Sequence, residues 1–177
     1  KLVDFNTILN KLETYKDNSF NDSFEEFFVK TLGEPDYLDF NPTIIGISAI
    51  FTPALQNVID LAKLSRKLFP DSLIIAGGGV PQNMHEAIYS EAPELDGICY
   101  GEGEKPLLSL LKAKNKKKYL EESKAWITLN KSSNGTEFAW DLIWELDEIP
   151  FYDYDLCNTS DYSLNPAITA YAAVGAH

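Results

Sequence analysis

The stretch that most constrains this chain runs from Pro42 to Pro81. It opens as Pro42-Thr-Ile-Ile-Gly-Ile-Ser-Ala-Ile-Phe-Thr-Pro, continues as an amphipathic helical segment, and closes as Leu73-Ile-Ile-Ala-Gly-Gly-Gly-Val-Pro. The two apolar runs are continuous rather than alternating, as expected of parallel strands covered on both faces. Each run ends in small or hydroxylated residues. Strand ends of that kind leave the backbone open to something that approaches it.

The flanking segments extend the pattern. Thr52 and Pro53 suit an N-cap and a first helical position, and the helix is predicted to reach about Phe69, with Leu55, Val58, Ile59, Ala62 and Leu68 on one side. A short helix is predicted from about Asn83 through Ile88. Asp96-Gly-Ile-Cys-Tyr is a third strand, and Gly101-Glu-Gly-Glu leads into a helix from about Glu104 to Lys112. Strands alternating with helices predict an α/β fold with a doubly wound, Rossmann-like or flavodoxin-like parallel sheet.

Upstream, Leu2-Val-Asp-Phe reads as a short strand, and Thr7 as the cap of a helix carrying Ile8, Leu9 and Leu12. Ser23 starts a helix with Phe24, Phe27, Phe28 and Leu32 at helical spacing, which Gly33 and Pro35 stop. That aromatic stripe reads as core. Downstream, residues 125–130 alternate in strand fashion, Asn134-Gly135 is a hairpin-turn signal, and residues 136–140 read as the return strand. An acidic, aromatic connector follows, then a turn-rich segment, then a last strand-like run at residues 166–174.

The 177 residues carry a formal net charge of −12, which argues against nonspecific nucleic-acid binding. Lysines 112, 114, 116, 117 and 118 form a basic run, read as a solvated helix end with favourable dipole placement. The longest strongly apolar run, residues 44–51, is far too short to span a membrane. Cys99 and Cys157 lie far apart, so a disulfide framework is not indicated and a reducing cytoplasm fits. The single methionine is Met84, and both ends read as interrupted structure, so the chain is expected to be part of a longer protein.

In open parallel sheets, ligands sit beyond the carboxyl ends of the strands. Three such outlets are readable. The first offers Ser48 and Thr52, the second Gly77, Gly78, Gly79 and Val80, and the third Gly101, Glu102, Gly103 and Glu104. Taken singly, Thr52 can be only a cap and the glycines only turns; their placement at three outlets together favours a ligand site. No Walker loop, complete dinucleotide fingerprint, zinc spacing or nucleophile elbow is present. His85 reads as a partly exposed helix residue. Glu102 and Glu104 could do acid–base work, though Glu104 also suits the first turn of a helix.

These motifs, with Glu145-Leu-Asp-Glu-Ile-Pro-Phe-Tyr-Asp-Tyr after them, resemble the cobalamin (B12)-binding domain of B12-dependent radical SAM proteins. The resemblance implies a cobalamin-binding domain over residues 1–122 whose first strand lies upstream, a β-hairpin and linker over 123–165, and the first strand of a radical SAM barrel over 166–177. It implies that Ser48 and Thr52 line the nucleotide tail of the cofactor, that Gly77, Gly78 and Gly79 let it pass, and that the loop at Gly101 and Glu104 borders the site. It further implies a [4Fe–4S] cluster and S-adenosylmethionine in the intact protein, carried by a barrel beyond these residues. Two other readings stay open: a noncatalytic α/β module kept for domain packing or protein contact, and a small nucleotide- or flavin-binding domain.

Overall fold

The computed structural model describes residues 1–150 apart from 18, 146 and 148. Most of the connector at 145–154, and all of the run at 166–177, lie outside the described residues. The described residues fall into two units, one that includes residues 1–21 and one of residues 22–149.

In the first unit, α1 (Phe5–Lys11) and α2 (Glu13–Lys16) are helical. The expected strand at Leu2 is absent. Asp4 is the reason: its carboxylate accepts from the Asn6 and Thr7 N–H groups, which starts the helix at Phe5. Thr7, expected as the cap, lies inside the helix and donates its hydroxyl to the Asp4 carbonyl.

The second unit begins with α3 (Phe24–Leu32) and α4 (Pro35–Leu38). Ser23 and Glu26 form a reciprocal capping box at the start of α3. Phe27 and Phe28 are buried, but Phe24 is exposed, so the aromatic stripe is only partly core. The elements that follow are β1 (Ile44–Ser48), a 3₁₀ turn (Thr52–Ala54), α5 (Leu55–Leu68), β2 (Leu73–Gly77), α6 (Gly79–Asn83), α7 (His85–Glu91), β3 (Gly97–Cys99), α8 (Glu104–Lys112), α9 (Lys116–Glu122), β4 (Trp126–Ile127) and α10 (Leu129–Ser133). The strands form one sheet in the order β1-β2-β3-β4. The first three are parallel, and β4 runs antiparallel to β3.

The alternation along β2 shows the two covered faces. Ile74 and Ala76 pack with Val58, Ile59 and Ala62 of α5, Ile88 and Tyr89 of α7, and Ile47, Ile98 and Ile127. Leu73 and Ile75 pack on the other face with Cys99, Leu110 of α8, Leu120 of α9 and Trp126. Helices on both faces of a mostly parallel sheet make a doubly wound, Rossmann-like α/β fold. At the amino ends of the strands, the Arg66 guanidinium donates to the Pro70, Ser72 and Glu94 carbonyls and to the Asp96 carboxylate at 2.7 Å, while Asp96 also accepts from the Ile74 N–H.

Three further expectations are corrected. The hairpin over residues 125–140 does not form, and the segment assigned to a linker from residue 123 instead supplies the fourth strand. Trp126 and Ile127 pair with Cys99 and Ile98 rather than with residues 136–140. Thr128 then caps α10, and Lys131 buries its side chain, its Nζ donating to the carbonyls of Leu120 (2.5 Å), Ser123 (2.8 Å) and Trp126 (2.6 Å). Those bonds tie α10 to α9 and β4, and Asn134-Gly135 merely follows the helix. The basic run is also split: Lys112 ends α8, but Lys116, Lys117 and Lys118 open α9 behind the Asn115 cap. Only Lys112 has the expected dipole placement.

Candidate functional site

The carboxyl ends of β1, β2 and β3 lie side by side. Ser48 stands opposite Gly77, and Ala76 opposite Ile98. The Ala49 N–H donates to the Gly77 carbonyl at 3.1 Å, and the Ala49 carbonyl accepts from the Val80 N–H at 3.2 Å. The backbone just past β1 is therefore stitched to the backbone just past β2.

Gly78 makes this crossing possible. Its φ is +94°, and a Cβ there would stand 2.4 Å from the Ala49 carbonyl oxygen. Its glycine requirement thus has a packing cause. Gly77 is less restricted, since a Cβ would meet Cys99 Cβ at 3.7 Å, an ordinary contact. Gly79 opens α6 and is exposed. Val80 points into the core, so it offers a ligand neither its side chain nor its N–H, which Ala49 takes.

The first outlet is open. Ser48 is exposed, and Gly46, two residues earlier and so on the same face of β1, has no atom within 4 Å of where a Cβ would stand. Beyond Ser48, Ile50 and Phe51 are 69% and 76% exposed, so an apolar rim borders the open backbone. Thr52 is also exposed. It does not cap α5: Ala54 stands at the cap position of that helix without a side-chain bond, and Thr52 begins the 3₁₀ turn before it.

At the third outlet, Gly101 has φ +87°, and its N–H donates to the Gln82 side chain at 2.9 Å. Gln82 belongs to α6, so this bond ties the second outlet to the third. Glu102 and Glu104 are exposed, and around Gly103 a Cβ would meet nothing within 4 Å. Cys99 lies behind them. Burial, with a smaller contribution from the Glu104 and Glu102 charges, pushes its thiol up to about 11. It is therefore a protonated core thiol and not a nucleophile at neutral pH.

The structure thus gathers Ser48, Gly77, Gly78 and Gly79 around Ala49, and sets Gly101, Glu102, Gly103 and Glu104 beside them through Gln82. It also brings in residues that motif reading missed. Phe138 packs against Tyr100 and His85, with ring centroids 5.6 and 6.2 Å apart, and the Ala139 N–H donates to the Lys124 carbonyl. Trp140 lies against Gly101, and Asp141 pairs with Lys105 at 2.6 Å. Their signal was the aromatic spacing of residues 138–140, which the hairpin reading absorbed. His85 is half-buried on α7, its Nδ1 2.8 Å from the Ser132 hydroxyl. Among the described residues, no helix is long and apolar enough to cross a membrane.

The comparisons with known proteins bear on this same segment. The family model for the B12 binding domain matches residues 36–111. An uncharacterized methyltransferase of Pyrococcus horikoshii is 31% identical over 126 residues, 70% of this chain and 27% of that protein. An anaerobic magnesium-protoporphyrin IX monomethyl ester cyclase of Rubrivivax gelatinosus is 31% identical over 81 residues, 46% of this chain and 14% of that protein. A cytidylyl-2-hydroxyethylphosphonate methyltransferase of Streptomyces wedmorensis is 31% identical over 91 residues, 49% of this chain and 17% of that protein. The chain therefore spans little more than a quarter of the length of these relatives at most. No solved structure matches it. The matched residues hold β1, β2, β3 and all three outlets, and on that agreement of sequence family and fold, residues 36–111 are a B12 binding domain.

Proposed function

We propose that this domain binds cobalamin across the carboxyl ends of β1, β2 and β3, and orients it for a methyl-transfer or other radical reaction carried out with a radical SAM barrel. The observation that carries this reading is the open backbone at the first outlet. Gly46 has nothing within 4 Å where a Cβ would stand, Ser48 is exposed beside it, and Gly77 is its neighbour on β2. A large flat ligand with an extended tail needs such a side-chain-free path, and these residues fit that need.

In this reading Ser48 and Thr52 offer hydroxyls to the polar tail, Gly77 and Gly79 give it room, and the Gly101 to Glu104 loop borders the ring. Gly78 acts indirectly by holding the two strand ends together. Bound cobalamin supplies the group-transfer chemistry, and the protein supplies binding and orientation. The [4Fe–4S] cluster and S-adenosylmethionine belong to the barrel in this proposal, and a cytoplasmic setting suits its reduced cluster. Methyl transfer is favoured among the reactions because two of the relatives are named methyltransferases.

The test is retention of the cofactor. The chain is mixed with hydroxocobalamin and passed over a desalting column. Corrin absorption eluting with the protein is the expected result, and protein eluting colourless overturns the reading. A second reading, a packing module without cofactor, draws on the exposed Leu107, Leu108 and Leu111 of α8. The colourless outcome would favour it.

A further inference from the structure

The segment from Phe138 to Asp141 crosses the end of β3 as a strap. Four separate contacts hold it there: Phe138 on Tyr100 and His85, the Ala139 N–H on the Lys124 carbonyl, Trp140 on Gly101, and Asp141 on Lys105. A Cβ at residue 101 would stand 2.9 Å from both Cδ1 and Cγ of the indole. Glycine at 101 thus lets the ring lie directly on the backbone, and the left-handed φ of that residue is a second reason for glycine there.

Despite this seating, Trp140 is 57% exposed. A tryptophan used only to cover Gly101 would turn its large apolar ring inward, since burial of that surface is what such a side chain contributes. Here four contacts fix the strap while the residue stays more than half exposed. The uncovered Gly103 and the carboxylates of Glu102 and Glu104 lie in the same loop as Gly101, on the rim of the third outlet. We infer that Trp140 is a cofactor-contacting residue, the aromatic wall of the third outlet, whose exposed indole packs against the apolar edge of the corrin ring.

This rests on the cobalamin reading above. It adds to the third outlet a residue outside the segment matched by the B12 binding family. An aromatic wall held by its own strap is preorganised, so little ordering accompanies binding.

Two measurements on the whole chain test it. The first is the affinity for hydroxocobalamin, followed by corrin absorption in equilibrium dialysis. Trp140→Ala is expected to weaken binding by roughly tenfold, and Trp140→Phe by no more than about threefold, because phenylalanine keeps an aromatic face of smaller area. Trp144→Ala, at an 84% exposed tryptophan outside the strap contacts, should leave affinity unchanged. The second is hydroxyl-radical footprinting of the wild-type chain read by mass spectrometry, which needs no variant to fold. Cobalamin should remove the reactivity of Trp140 and spare that of Trp144. Corrin that binds while Trp140 stays fully reactive overturns this inference and leaves the cobalamin reading standing. So does Trp140→Ala binding equally well or more tightly, since the ring would then be neutral or an obstruction. A wild-type chain that retains no corrin overturns both.

Discussion

Gly78 and Ala49 meet backbone to backbone: a Cβ on residue 78 would stand 2.4 Å from the Ala49 carbonyl oxygen, the same oxygen that accepts the Val80 N–H. This contact joins the first two outlets, so the middle of the glycine run is structural and its neighbours are where the space is.

Gly78→Ala therefore has to break the crossing or strain it. The residue combines φ +94° with a contact no Cβ tolerates. A loss of about 2 kcal/mol or more in urea unfolding is expected. Gly77→Ala, which meets only Cys99 Cβ at 3.7 Å, should lose less than about 1 kcal/mol. Equal effects at the two positions would refute the distinction.

Ser48→Leu separates binding from folding. The side chain is exposed at the end of β1, so stability should move by no more than about 0.5 kcal/mol. Cobalamin retention on a desalting column should fall, because the larger group fills the open face beside Gly46. Undiminished retention would remove Ser48 from the site.

Lys131 is the anchor of the C-terminal part of the sheet unit. Replacing it with methionine keeps much of the volume but leaves the Leu120, Ser123 and Trp126 carbonyls without their shared donor. A destabilisation of about 2–3 kcal/mol is expected from denaturant melts. Loss of helix α10 should accompany it, read as faster amide exchange over residues 129–133.

Cys99 gives a pH signature. Its folded pKa is raised from 9.0 to about 11, so the unfolded chain ionises first. The stability that this group contributes is whole below pH 9, declines as pH rises, and is gone above about pH 11. After discounting for partial solvent screening, the loss is about 2 kcal/mol. Denaturant midpoints between pH 8 and pH 11 should fall less in Cys99→Ala than in the wild type, after correction for the baseline cost of that variant.

The doubly wound core was legible because its signals are local. The apolar runs at residues 44–48 and 73–76 are strands as read, and the α5 face carries Val58, Ile59 and Ala62 into the core as its periodicity requires. The start of α3 was legible for the same reason, since the Ser23 and Glu26 capping box is written in four consecutive residues. The outlets followed from where small residues stand relative to strand ends.

The failures share one cause. Asn134-Gly135 suits a hairpin locally, and nothing nearby says otherwise; the buried Nζ of Lys131, bonded to carbonyls 5 to 11 residues away, decides for a helix. Trp126 could equally pair forward or back, and its partner is Cys99 on β3. Gly78 and Gly79 look alike in sequence, yet only the approach of Ala49 makes one of them obligatory. Sequence by itself determined β1, β2, β3 and α5 and where small residues stand at the strand ends, because periodicity and residue size act within a few positions. Which bare backbone is packed and which is open, and that Trp140 lies on Gly101, were decided only by the tertiary structure, because those contacts join residues whose distance along the chain carries no information about their distance in space.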